Sequence, residues 1–231
     1  KRAHGGSYTF VLIAMIAACA VFLITSGGVF NFQAEVLLYA VLFALGYCTS
    51  MVMGFLAIQT GSLSLSALIM QYSMVVPAIY GMVMLNEPLK LTLFVGLILL
   101  IISLVLVNLK GKEDYVRPTL KWAFFAGLSF IGNGFCVTVQ KVQQINFAGM
   151  YKSEFLIMSV AISVVIMLCL VLLFDRKAIS HNIKSGGLIA AGSGICNGVS
   201  NFLVMVLAGM LPASVMYPVI SAGGTITSSL A

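Results

Sequence analysis

A small set of uncharged hydrogen-bonding side chains stands inside otherwise apolar stretches of the chain: Thr49, Ser50, Gln71, Tyr72, Asn133, Gln140, Asn197, Asn201 and Tyr217. Amides, hydroxyls and phenols bind by donating and accepting hydrogen bonds and carry no fixed charge. Asn197 and Asn201 are four residues apart, and Asn133 and Gln140 seven apart, so each pair shares one helix face. An amide facing lipid unpaired costs several kcal/mol. These faces must therefore turn towards other helices or a water-filled hollow. The plainer role is glue between helices, worth about 0.6 kcal/mol per contact. Two amides on one face exceed what a single helix contact requires. Asn197 and Asn201 are accordingly read as lining a solute pathway, with Gln71, Tyr72, Asn133, Gln140 and Tyr217 as further candidates. Pro77 and Pro218 lie inside apolar runs, where a missing N–H and a bulky ring break or kink a helix.

Acid–base and metal chemistry lack their parts. The six acids (Glu35, Glu87, Glu113, Asp114, Glu154, Asp175) fall in breaks or at the ends of apolar runs. His4 and His181 lie in polar flanks. No His-x-x-x-His, Cys-x-x-Cys or paired carboxylate sits within a run. No catalytic residue, metal or cofactor is expected, and the chain is not read as an enzyme. The five cysteines (Cys19, Cys48, Cys136, Cys169, Cys196) all fall in apolar runs and read as small buried residues. With no titratable group at depth, a cavity of amides and hydroxyls suits a neutral or zwitterionic small solute.

The elements that must position these groups follow from composition. Of 231 residues, 61% are hydrophobic and 8% charged. The mean hydropathy is +1.13. A water-soluble globule cannot hide so much apolar surface, and disorder is excluded by the same balance. A polytopic membrane protein remains: eight spans of about 20 residues would take roughly 160. Apolar runs occur at 9–29, 36–58, 62–85, 90–109, 120–140, 154–174, 186–208 and 212–231. The breaks carry Gly, Pro, Asn or charge, among them Gly27-Gly28, Asn86-Glu87-Pro88, Lys110 to Arg117-Pro118, Lys141 to Lys152 and Asp175 to Lys184. Continuous runs of this length predict helices rather than barrel strands. The fold expected is an all-α polytopic membrane bundle, and its first partner is the lipid bilayer.

The net charge of +6 comes from basic residues in the breaks, not from a stripe with aromatics, so nucleic acid is not a partner. Trp122 beside Lys121 reads as an interfacial anchor. Nine basic residues fall on one side of the spans (Lys1, Arg2, Lys110, Lys112, Arg117, Lys121, Arg176, Lys177, Lys184) and three on the other (Lys90, Lys141, Lys152). By the positive-inside rule the N-terminal flank is cytoplasmic. Residue 1 is Lys, and the last run ends without a charged flank, so the chain is expected to be the interior of a longer protein.

Phe55 to Asn108 reads FLAIQTGSLSLSALIMQYSMVVPAIYGMVMLNEPLKLTLFVGLILLIISLVLVN. A small-residue turn leads to a Pro-containing helix, then the acidic turn Asn86-Glu87-Pro88-Leu89-Lys90, then an apolar helix with Gly96 in its first half. This layout resembles the third to fifth helices of an EamA-type repeat of the drug/metabolite transporter superfamily. Trp122 to Lys141 resembles the first helix of the next repeat, and Leu211-Pro212-Ala213-Ser214 through Gly223-Gly224 its fourth. A shift of 147 residues lays Phe55-Leu56 on Phe202-Leu203 and Ile79 on Ile226. The resemblance implies ten helices in two inverted repeats, of which eight spans are present. A first repeat would occupy 1–110 without its first helix, a linker 111–119, and a second repeat 120–231 without its last. Glu87 would be the repeat landmark. The implied function is a multi-pass carrier of small metabolites or drug-like solutes in the cytoplasmic membrane, working by alternating access. A second copy of the chain is a candidate partner. The alternative is a scaffold or assembly protein of the same fold that transports nothing. One departure stands out: the superfamily's usual topology puts the break after the fourth span outside, whereas its basic residues put it inside.

Overall fold

The computed structural model describes residues 7–85, 98, 102, 119–176 and 179–230. Every regular element among them is helical. In chain order they are α1 (Ser7–Thr25), a 3-10 turn at Ala34–Val36 leading into α2 (Leu37–Thr60), α3 (Leu63–Tyr72), α4 (Val75–Met84), α5 (Leu120–Asn146), α6 (Lys152–Phe174), α7 (Ile179–Ala208) and α8 (Ala213–Leu230). Six stretches are long and apolar enough to cross a bilayer: Tyr8–Thr25, Ala34–Thr60, Leu65–Met84, Leu120–Asn146, Lys152–Phe174 and Asn182–Ala208. The chain is thus a multi-pass helical bundle, because only a helix satisfies its own backbone in lipid. α8, with Ser, Thr and Gly in its second half, is not one of the six. Apart from residues 98 and 102, the fourth apolar run lies outside the described residues, as do Glu87 and residues 111–118 of the expected linker.

The helix ends differ from the hydropathy breaks for local reasons. Gly27 and Gly28 stop the first helix with φ of 69° and 76°, a conformation that costs side-chain-bearing residues energy. α5 runs through Lys141 to Asn146, leaving only 147–151 as the turn into α6. α7 begins at Ile179, before its apolar stretch, so its first turns are polar. The third run is two helices. Pro77 lacks an N–H and its ring crowds the carbonyl four residues back, that of Ser73. Tight three-residue turns replace the ladder there: Ser73 N–H donates to Met70 O (3.3 Å), Met74 N–H to Gln71 O (3.3 Å) and Val76 N–H to Ser73 O (3.1 Å). Pro218, by contrast, sits in a helix that continues through it.

The helices form two compact units, each drawn from two separated parts of the chain. The first comprises Lys1–Cys48 and Val142–Gly209; the second comprises Thr49–Lys141 and Met210–Ala231.

In the first unit α1 packs on both α6 and α7. Its contact with α7 is a small-residue seam, in which a Cβ on Gly194 would lie 2.2 Å from Ala14 O and one on Gly198 would lie 3.0 Å from Ala18 Cα. Backbones approach this closely only where side chains are missing. The residue numbers rise together, so α1 and α7 run parallel. α1 meets α6 head to tail: Tyr8 stacks on Phe174 at 5.5 Å, and the Asp175 carboxylate accepts from Thr9 N–H (3.1 Å) and Thr9 Oγ1 (3.2 Å). The buried Asp175 side chain therefore caps the first turn of α1, where backbone N–H groups lack partners within the helix. Phe43 joins α2 to α6 by edge contact with Phe155 at 5.6 Å.

In the second unit the latter half of α2 runs antiparallel to α5. Ser129 Oγ donates to Ser50 O (3.0 Å), and a Cβ on Gly54 would touch both Met70 and Ser129. Trp122 packs with Ala57 and Ala126 and donates from its indole N–H to Ser66 Oγ (2.9 Å). The indole is 6% exposed, so the anchor expectation is corrected: the ring is clamped among helices, against the bare Gly61 Cα. α8 packs on α3 and α4, and Ser221 Oγ donates to Gln71 O (3.1 Å).

Candidate functional site

Two hydrogen-bonded groups sit at mid-span, one in each unit. In the first unit Tyr47 stands at the centre of the Ala34–Thr60 stretch, and Asn197 near the centre of Asn182–Ala208. The Tyr47 phenol donates to Asn197 Oδ1 at 2.5 Å. Asn201 Nδ2, one turn along α7, donates to the same oxygen at 2.9 Å and to Asn197 O at 3.0 Å. The four-residue spacing of the two asparagines thus becomes a direct bond, as one helix face requires. Both amides are half-buried. The network holds no charged group, and at this depth each bond is electrostatically stronger than in water.

In the second unit Asn133 lies at the centre of Leu120–Asn146. Its Nδ2 donates to Ser73 Oγ at 2.6 Å, and Ser73 Oγ donates in turn to Met70 O at 2.5 Å. The amide is spent on the break made by Pro77. Gly134 permits this approach, since a Cβ there would meet Val76 Cβ at 2.6 Å and Ser73 O at 3.0 Å.

The other sequence candidates divide between these surroundings. Gln140 is fully buried, and neither its Oε1 nor its Nε2 has a hydrogen-bond partner. Asn133 and Gln140, expected to act from one face, therefore meet different environments: one is bonded at the break, the other sealed. Tyr217 is fully buried, with its phenol donating to Val137 O at 3.4 Å. Gln71 serves through its carbonyl, which accepts from Ser221, while Tyr72 is half-buried beside the break. Pro77 makes the break; Pro218 is half-buried within α8.

Sequence reasoning missed several participants. Tyr47 reads as one more aromatic in an apolar run. Ser73 carries no signal apart from standing four residues before Pro77. Gln143 and Gln144 fall in an expected break but are buried at the end of α5 in the first unit, where Gln144 Nε2 donates to Gln143 Oε1 (2.6 Å) and Gln143 Nε2 to Met150 O (3.3 Å). Lys141, also read as a flank, is buried in the second unit with its Nζ on Leu211 O at 2.7 Å. All five cysteines are free thiols. Among the described residues no three His, Cys, Asp or Glu side chains converge as metal ligands. No family model matches the chain, and no curated protein matches it.

Proposed function

We propose that the chain is the core of a membrane carrier of the EamA type in the drug/metabolite transporter superfamily, moving small neutral or zwitterionic solutes across the cytoplasmic membrane by alternating access. The Tyr47–Asn197–Asn201 network carries the reading. A bonded phenol and two amides at mid-depth in apolar helices are costly to insert, and carriers place solute sites at that depth. The break at Ser73–Pro77 adds support, because interrupted helices line such sites. Two inverted repeats, with Glu87 marking the end of the third helix of one, belong to the same proposal.

The decisive measurement is uptake by proteoliposomes carrying the full-length protein, screened against amino acids, nucleosides and organic cations. Asn201→Leu abolishes uptake of the transported solute if the network binds it. Unchanged uptake, with the variant inserted to wild-type levels, would reduce Asn201 to packing; no uptake of any of these solutes by the wild-type protein would leave the scaffold alternative.

A further inference from the structure

The hydrogen-bonding valences of the first unit's network define what it can still hold. Asn197 Oδ1 accepts two bonds, from Tyr47 and from Asn201, which fills both lone pairs. Asn201 Nδ2 makes two, to Asn197 Oδ1 and Asn197 O, which uses both of its protons. What remains is the NH2 of Asn197 and the Oδ1 of Asn201. Neither atom has a hydrogen bond among the described residues, and neither is sealed from its surroundings as the Gln140 amide is. Exposed Ser193 and Ser200 continue the polar ridge on the same face of α7. Lipid tails cannot satisfy these groups, so a polar occupant must.

The bonds already made tune the two free edges. An amide whose carbonyl accepts two bonds becomes a better N–H donor, and one whose NH2 donates twice becomes a better acceptor. The network therefore offers one strengthened donor and one strengthened acceptor at opposite ends of a two-amide chain, with no counterion. We propose that this site selects neutral solutes bearing both a carbonyl acceptor and an N–H donor, the pattern of a carboxamide or lactam. The inference rests on the solute-site reading above and names the solute class.

Three isosteric probes test it by binding to the full-length protein in detergent. Benzamide offers an acceptor and a donor, benzoate acceptors only, and benzamidine donors and a positive charge. The wild-type chain should bind benzamide at least about tenfold more tightly than either of the others, the equivalent of about 1.4 kcal/mol. Equal binding of all three, or none, overturns the proposal without recourse to any variant. Asn197→Asp keeps the acceptor for Tyr47 and Asn201 but replaces the free NH2 with an oxygen. In it the preference should reverse, with benzamidine ahead of benzamide; a retained preference for benzamide overturns the assignment to Asn197. Binding needs no turnover, so the two readings fail separately. Benzamide selectivity without vesicle uptake sinks the carrier and keeps this site. Uptake that benzamide does not compete, and that Asn197→Asp does not alter, sinks the site and keeps the carrier.

Discussion

The two units each carry an asparagine at mid-span, yet the two amides do different work. Asn133 faces a helix that Pro77 has interrupted, and its NH2 is bound to the serine at the interruption. Asn197 and Asn201 lie on an uninterrupted helix and bind each other and a phenol from α2. The neighbouring polar groups diverge as well: Gln140 and the Ser50 hydroxyl, beside Asn133 in the second unit, are sealed without partners, while the free edges of Asn197 and Asn201 stay open. A polar residue at depth is therefore a weak signal by itself. What separates a structural amide from a binding one is which of its valences the fold leaves unused.

Breaking the seam between α1 and α7 should have the largest effect. A Cβ at Gly194 meets backbone atoms of Ala14, which have no side-chain freedom to yield, so Gly194→Ala should cost about 3 kcal/mol by overpacking. Gly192→Ala, with nothing within 4 Å, should stay within about 0.5 kcal/mol. Thermal unfolding of the detergent-solubilised protein measures both, and equal shifts would mean that the seam is not what holds the first unit. Next come the amides, where the sign should differ between units. Gln140→Met removes two unpaired buried polar atoms and should stabilise by about 1–3 kcal/mol. Asn197→Leu removes the oxygen that Tyr47 and Asn201 share and should destabilise by about 1–2 kcal/mol. Effects of the same sign would erase the contrast between the units. The smallest is expected for Ser73→Ala, which takes away Asn133's acceptor at about 0.6 kcal/mol, the usual value for a bond between membrane helices. A loss several times larger would mean that the break itself depends on this hydroxyl.

Hydropathy alone located the six stretches able to cross a bilayer, because a span must be long and greasy wherever it lies. Spacing alone paired Asn197 with Asn201, since four residues on a helix is a fixed geometry. The third member of that network was illegible: Tyr47 lies 150 residues from Asn197, and no local pattern marks an aromatic whose hydroxyl is used. Trp122 misled for a related reason. It stands next to a basic residue at the start of an apolar run, which is where interfacial anchors also stand, and only its partner Ser66 reveals that it is buried. Periodicity gives the face of a helix but not the neighbour that covers it.

Trp122 is the chain's single tryptophan, and it belongs to the second unit. Its emission is consequently a native optical probe for that half of the protein, sensitive to loss of the Ser66 bond. Set beside a global measure such as far-ultraviolet dichroism, it would reveal whether the halves melt together or in sequence, since non-coincident curves are the mark of a transition with more than two states.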